Sequence, residues 1–171
     1  MILEKAVLGA GCFWHIEHYF SKLKGVISTR VGYSGGNDVT QPTYKDVCTG
    51  DTGHAEVVEI TFNPKIIKYN NILENFWRIH DPCSLNKQGP DIGTQYRSII
   101  LTISTSQRKT AMKHKQYFNK LKYKFYISFP FSSGSLSIIS GGKPSALKSV
   151  LLSSSILLTI IEDQALDPYF L

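Results

Sequence analysis

No acidic residue occurs between Leu101 and Ile161. That gap accounts for all of the net charge of +6: residues 1–100 carry 10 Lys+Arg against 10 Asp+Glu, and residues 101–171 carry 9 against 3. The basic character therefore belongs to the C-terminal part and is no sign that the first hundred residues bind nucleic acid. Cysteine is scarce, at three (Cys12, Cys48 and Cys83), and an odd count with no secretory pattern argues against a disulfide framework. Long apolar runs are also missing. Val150 to Ile161 is broken by Ser153-Ser154-Ser155 and falls short of the ~20 residues that a membrane span needs. The start, Met1-Ile2-Leu3-Glu4-Lys5, is charged too early for a signal peptide. No glycine-rich phosphate loop is present, since Gly32–Gly36 lacks the following helix and lysine, and no Cys/His pairs have metal-ligand spacing. A soluble, cytoplasmic protein of a reducing compartment is expected, with no bound cofactor, metal, nucleic acid or membrane.

What the chain does hold is Gly11-Cys12-Phe13-Trp14-His15-Ile16-Glu17, directly after the apolar run Ala6–Ala10. A thiol at a strand-to-helix turn sits where free amides and the helix dipole favour negative charge, which suits a nucleophilic thiolate. The two rings beside it suggest a small substrate with an apolar end. Taken alone, Cys12 could equally be a buried structural cysteine, and Phe13 and Trp14 could be core.

Hydrophobic periodicity predicts strands at Lys5–Leu8, Val26–Ser34, Ala55–Phe62 and Tyr96–Ile103. It predicts helices at Phe13–Lys24, Tyr69–Ile79 and from Ser104/Thr105 to about Leu121. Loops are expected over Asn37–Thr52 and His80–Thr94. Helices alternating with strands point to an α/β or α+β sandwich with helices packed on a sheet, and an α+β two-layer sandwich with a mixed sheet is expected. After about Leu121 periodicity fades and the text turns Ser- and Gly-rich, so the expected organisation is a catalytic unit over 1–121 and an atypical basic tail over 122–171.

One ordered series of motifs narrows the function. It runs Gly11-Cys12-Phe13-Trp14-x-x-Glu17, Gly32-Tyr33-Ser34-Gly35-Gly36, Pro42-Thr43-Tyr44-x-x-Val47-Cys48 and Thr52-Gly53-His54-Ala55-Glu56-Val57-Val58. It continues Phe76-Trp77-x-x-His80-Asp81-Pro82 and Asn86-x-Gln88-Gly89-x-Asp91-x-Gly93-Thr94-Gln95-Tyr96-Arg97-Ser98. The series resembles the peptide methionine sulfoxide reductases of the A type over roughly residues 5–100. The resemblance implies a ferredoxin-like fold and thiol-dependent reduction of methionine-S-sulfoxide, free or in proteins, as repair after oxidative stress. It implies that Cys12 is the nucleophile, passing through a sulfenic acid. Glu56 matches the acid that protonates the sulfoxide oxygen. Tyr44 and Tyr96 match hydroxyls that hydrogen-bond that oxygen, and Asp91 matches a loop aspartate that orients the site. Phe13 and Trp14 match the residues that hold the S-methyl group. It also implies an external thiol reductant such as thioredoxin, and a monomer is expected. Cys48 is expected to be buried and outside the recycling role, whereas Cys83 could resolve the Cys12 sulfenic acid. Glu17 is expected to be structural, and His54, His80 and Asp81 to brace loops.

The chain also departs from the pattern. Position 15 is His where the family has a small residue, and a solvent-facing side chain is expected there. Residues 122–171 show no counterpart of the family's C-terminal Phe-Tyr-x-Ala-Glu-x-x-His-Gln-x-Tyr segment and suggest a frame-shifted or unrelated end. Two alternatives follow: an inactive or truncated relative, or a binding module with a basic tail.

Overall fold

The computed structural model describes residues 2–37, 42–128 and 159–162. Strand β1 (Glu4–Ala10) leads into α1 (Phe13–Phe20), then β2 (Val26–Ser34), α2 (Tyr44–Thr49) and β3 (Ala55–Phe62). Helix α3 (Tyr69–Arg78), two short strands β4 (Lys87–Gln88) and β5 (Asp91–Ile92), a 3-10 turn (Thr94–Tyr96) and β6 (Ser98–Thr102) follow. Helix α4 (Thr105–Ser128) and β7 (Thr159–Glu162) complete the described elements.

The main sheet has the order β2-β3-β1-β6-β7. Its first three pairings are antiparallel, with Glu4 opposite Phe62 and Ala10 opposite Ser98, and β7 joins β6 in parallel. The sheet is therefore mixed, and α1 and α3 cross over between strands that are not neighbours, as in the split βαβ of a ferredoxin-like fold.

Strand alternation divides the core in two. Val58, Ile60 and Phe62 of β3 join Phe13, Ile16 and Phe20 of α1, and Ile72, Leu73 and Phe76 of α3, in the larger cluster. Ala55 and Val57 point the other way, toward Val7, Ile99 and Leu101. Each fully buried side chain of this size contributes about 1.5–3 kcal/mol. Strand β1 runs close to both neighbours at Gly9: a Cβ there would come within 2.6 Å of Ile99 and 2.7 Å of the Glu56 carbonyl. Helix α4 closes against α3 through Trp77, whose indole stacks on Phe118 at 4.9 Å and donates to His114 Nδ1 at 3.2 Å. No described helix is long and apolar enough to cross a membrane.

Several elements differ from the sequence expectation. Helix α1 stops at Phe20, and the Leu23 amide donates to the Phe20 carbonyl in a closing turn, so Lys22 and Lys24 lie beyond the helix. The stretch expected as a loop over Asn37–Thr52 contains α2. The expected loop His80–Thr94 contains the β4–β5 pair. Tyr96 belongs to the 3-10 turn and not to β6. Helix α4 runs past 121, and β7 lies in the segment where no element was expected. The rest of the expected tail, 129–158 and 163–171, lies outside the described residues, as do 38–41 of the expected loop.

Candidate active site

Gly11 has φ +99°, a backbone conformation suited to glycine, and it turns the chain out of β1 so that Cys12 becomes the N-cap of α1. The Cys12 side chain makes no capping bond. The orphan amide of Phe13 instead donates to Glu56 Oε2 at 3.0 Å, so a carboxyl from β3 caps the helix that carries the thiol. Cys12 is half-buried.

Glu56 is 3% exposed. Burial raises its pKa; the Phe13 amide pulls it partly back, and the neighbouring Asp91 charge pushes it further up. Among the described residues no cation pairs with it. Register places Tyr33 of β2 directly opposite Glu56, and the Tyr33 ring lies 5.6 Å from that of Phe13. Burial, then the Glu56, Cys48 and Tyr96 charges, push Tyr33 up to about 12, so its hydroxyl stays a neutral donor. The Phe13 ring belongs to the core and stands 5.7 Å from that of Trp14, which is 69% exposed. Trp14 thus forms a rim beside the thiol.

The other wall comes from α2 and the segment before β6. A reciprocal box between Thr43 and Asp46 fixes the start of α2, with the Thr43 amide donating to Asp46 Oδ2 at 2.8 Å. Tyr44 is the first residue of that helix and is exposed. Its hydroxyl is pushed up to about 12, chiefly by its hydrogen bond with Cys48, then by the charges of Cys48 and Tyr96. Tyr96 is half-buried and is raised by burial, then by Glu56, Asp91 and Cys48, while its hydrogen bond with Tyr44 acts in the opposite sense. Asp91 stands on β5 opposite Gln88 of β4. Arg97 ties these segments together: Nη2 donates to the carbonyls of Gly35 at 3.1 Å and Gly53 at 2.8 Å, and Nη1 to that of Thr94 at 2.9 Å.

The structure thus brings together Cys12, Phe13, Glu56, Asp91, Tyr96 and Tyr44, with Trp14 at the edge. Cys83 stands outside this group on the loop after α3, packed against the core. Cys48, expected to be buried, is exposed: α2 turns Val47 into the core and the next residue outward. His15 is exposed. Glu17 accepts from Thr29 Oγ1 at 3.1 Å. His80 bridges the Phe76 carbonyl and Ser98 Oγ, both at 2.7 Å, and burial lowers its pKa to about 4. No group of three or more metal-binding side chains occurs among the described residues. Tyr33, Gln88 and Arg97 had no role assigned from the sequence. Only the β2–β3 register could have revealed Tyr33, because the Glu56 that it faces is 23 positions away.

The family model for peptide methionine sulfoxide reductase matches residues 4–132. A peptide methionine sulfoxide reductase MsrA of Methanothermobacter thermautotrophicus is 58% identical over 113 residues, covering 66% of this chain and 66% of its own length. One from Saccharolobus solfataricus is 61% identical over 109 residues, covering 64% and 61%. The chain therefore spans about two thirds or less of these relatives. Among solved structures, methionine sulfoxide reductase A of Corynebacterium diphtheriae aligns with TM-score 0.67 at 33% identity, covering 74% of this chain and 59% of that one. Reduced Mxr1 of Saccharomyces cerevisiae aligns with TM-score 0.67 at 30% identity, covering 94% and 75%. Mxr1 solved in complex with Trx2 aligns with TM-score 0.50 at 26% identity, covering 70% and 68%.

Proposed function

The chain belongs to the peptide methionine sulfoxide reductase family, and from that premise we propose that it reduces methionine-S-sulfoxide, free or in proteins, to methionine. One observation carries this reading: the amide next to Cys12 is bonded to a buried carboxyl whose described partners include no cation. Nucleophile and acid are thereby held on either side of one helix start.

In the proposed reaction the Cys12 thiolate attacks the sulfoxide sulfur. Glu56 gives its proton to the oxygen as the S–O bond weakens, and the neutral hydroxyls of Tyr44 and Tyr96 donate hydrogen bonds to it. The substrate sulfur gains two electrons and leaves as the thioether. The oxygen ends on Cys12, whose sulfur has lost two electrons, as a sulfenic acid. Phe13 and Trp14 hold the S-methyl group, favoured by methyl and sulfur contacts with rings, and Asp91 orients the polar side and helps keep Glu56 protonated.

Two external thiols return the enzyme to its starting state, releasing one water and one disulfide. The complex of the neighbour Mxr1 with Trx2 supports a thioredoxin-type protein in that role. Thiols supply both electrons, so the chemistry needs no resident cofactor. All the residues involved lie between Cys12 and Tyr96, which supports a catalytic unit over 1–121; the proposal takes it to act as a monomer in the reducing cytoplasm. The test is turnover of methionine-S-sulfoxide with dithiothreitol, wild type against Cys12→Ser. Loss of turnover in the variant is expected; equal rates overturn the assignment.

A further inference from the structure

Tyr96 donates to the sulfoxide oxygen in the proposed reaction, yet it rides on a single 3-10 turn, Thr94–Tyr96. The backbone bonds of that turn close it on itself: the Tyr96 amide donates to the Gly93 carbonyl at 3.1 Å, and the Arg97 amide to the Thr94 carbonyl at 3.3 Å. Neither bond reaches the segments that lead into Glu56 and out of Tyr33. The Arg97 side chain reaches both. Nη1 donates to the Thr94 carbonyl at 2.9 Å inside the turn. Nη2 donates to the carbonyl of Gly53 at 2.8 Å, three residues before Glu56, and to that of Gly35 at 3.1 Å, two residues after Tyr33.

Both loops meet the guanidinium through a glycine. Gly35 has φ +76° and Gly53 φ +64°, left-handed conformations that suit a residue without Cβ. The two loops need no arginine to stay together: the β2–β3 ladder runs out to Ser34 opposite Ala55, and the Asn37 amide donates to the Thr52 carbonyl at 2.8 Å. What Arg97 adds is the third segment, the turn with Tyr96. Its charge is met by carbonyl dipoles, and among the described residues no carboxylate pairs with it. Two nitrogens of one planar fork serve three carbonyls in fixed directions, which the flexible ammonium of a lysine does not reproduce.

We propose, resting on the reductase reading above, that Arg97 is a positioning residue for the reaction: its fork sets the Tyr96 hydroxyl against the Glu56 carboxyl, so that both meet the sulfoxide oxygen at once. Arg97 acts through Tyr96 and not on the reacting atoms. Phe13 and Trp14 hold the S-methyl group without help from the fork. Loss of the fork therefore weakens the transition state and spares substrate binding, which lowers kcat and leaves KM nearly unchanged.

The test is a double-mutant cycle on the full chain, with methionine-S-sulfoxide and dithiothreitol, combining Arg97→Lys with Tyr96→Phe. Tyr96→Phe should lower kcat about 10²-fold by removing one donor. Arg97→Lys should lower kcat about 10–10²-fold at nearly constant KM, with a cooperative melt, and should cost little more in the Tyr96→Phe background. A brace that only stabilises the fold would act independently of Tyr96, so losses that multiply in full overturn the proposal. A near-wild-type kcat in either single variant overturns it too. Arg97→Gln is carried through the same cycle, so one folded variant decides; if neither folds, the arginine serves stability and the proposal falls. A wild-type chain that forms no methionine sinks the reductase reading itself, whereas a wild type that turns over with no coupling between Arg97 and Tyr96 sinks the positioning role alone.

Discussion

Strand β3 buries two glutamates three positions apart, and they live in opposite electrostatic worlds. Glu59 is 2% exposed and Glu56 is 3% exposed. Glu59 faces the smaller cluster and is met by two cations, Arg30 Nη2 at 2.7 Å and Lys5 Nζ at 3.1 Å. Arg30 lies directly across the β2–β3 ladder from it. Glu56 faces the helices, takes one backbone amide, and has Asp91 as its charged neighbour. The same residue type on the same strand is thus an ion-paired brace at one end and, in the proposed reaction, the proton donor at the other. The alternation of the strand decides which, because an offset of three residues reverses the face.

Exchanging the two roles gives the sharpest tests. Glu56→Gln keeps the shape and removes the proton donor, so kcat is expected to fall about 10²–10⁴-fold with the melting temperature unchanged or raised. Steady-state kinetics and a thermal melt read both, and a near-wild-type kcat would erase the distinction between the two glutamates. Glu59→Ala should do the reverse. Loss of the carboxylate strands two half-exposed cations, and the expected cost is about 1–3 kcal/mol with turnover little changed. Denaturant unfolding measures it.

A smaller effect lies in pH. Glu56 is raised above its ordinary 4.5 in the folded chain, so between that value and its folded pKa the native state holds a proton that the unfolded state has released. Stability therefore falls as pH rises through this window, and Glu56→Gln should flatten the slope. Activity should fall over the same window as the acid is lost. Smallest is Thr43→Ala, which breaks the box at the start of α2. A loss of about 1 kcal/mol is expected, together with weaker substrate binding because Tyr44 is the next residue.

Much of this arrangement was legible in the chain. Val26–Ser34 and Ala55–Phe62 alternate well enough to be read and form strands with those limits. The Gly11-Cys12 turn announced itself because a glycine between an apolar run and a helical pattern has few other uses. Helix α2 was hidden because Pro42 and a polar run read as loop, although Thr43-x-x-Asp46 carried the capping signal. Strands of two residues, such as β4 and β5, have no period to detect, so Asp91 could be recognised by likeness but not placed. The exposure of Cys48 follows from the phase of a helix that was not expected. The pairing of Tyr33 with Glu56 is a tertiary fact, fixed only once two strands choose their register.

The two tryptophans report on different places. Trp77 is 6% exposed and stacked in the core, whereas Trp14 is 69% exposed at the rim beside Cys12. Their emission should separate accordingly, a blue component from the interior and a red one open to iodide. The red band is then a built-in fluorophore for occupancy of the site, readable without any label, while the blue band tracks unfolding in the same cuvette.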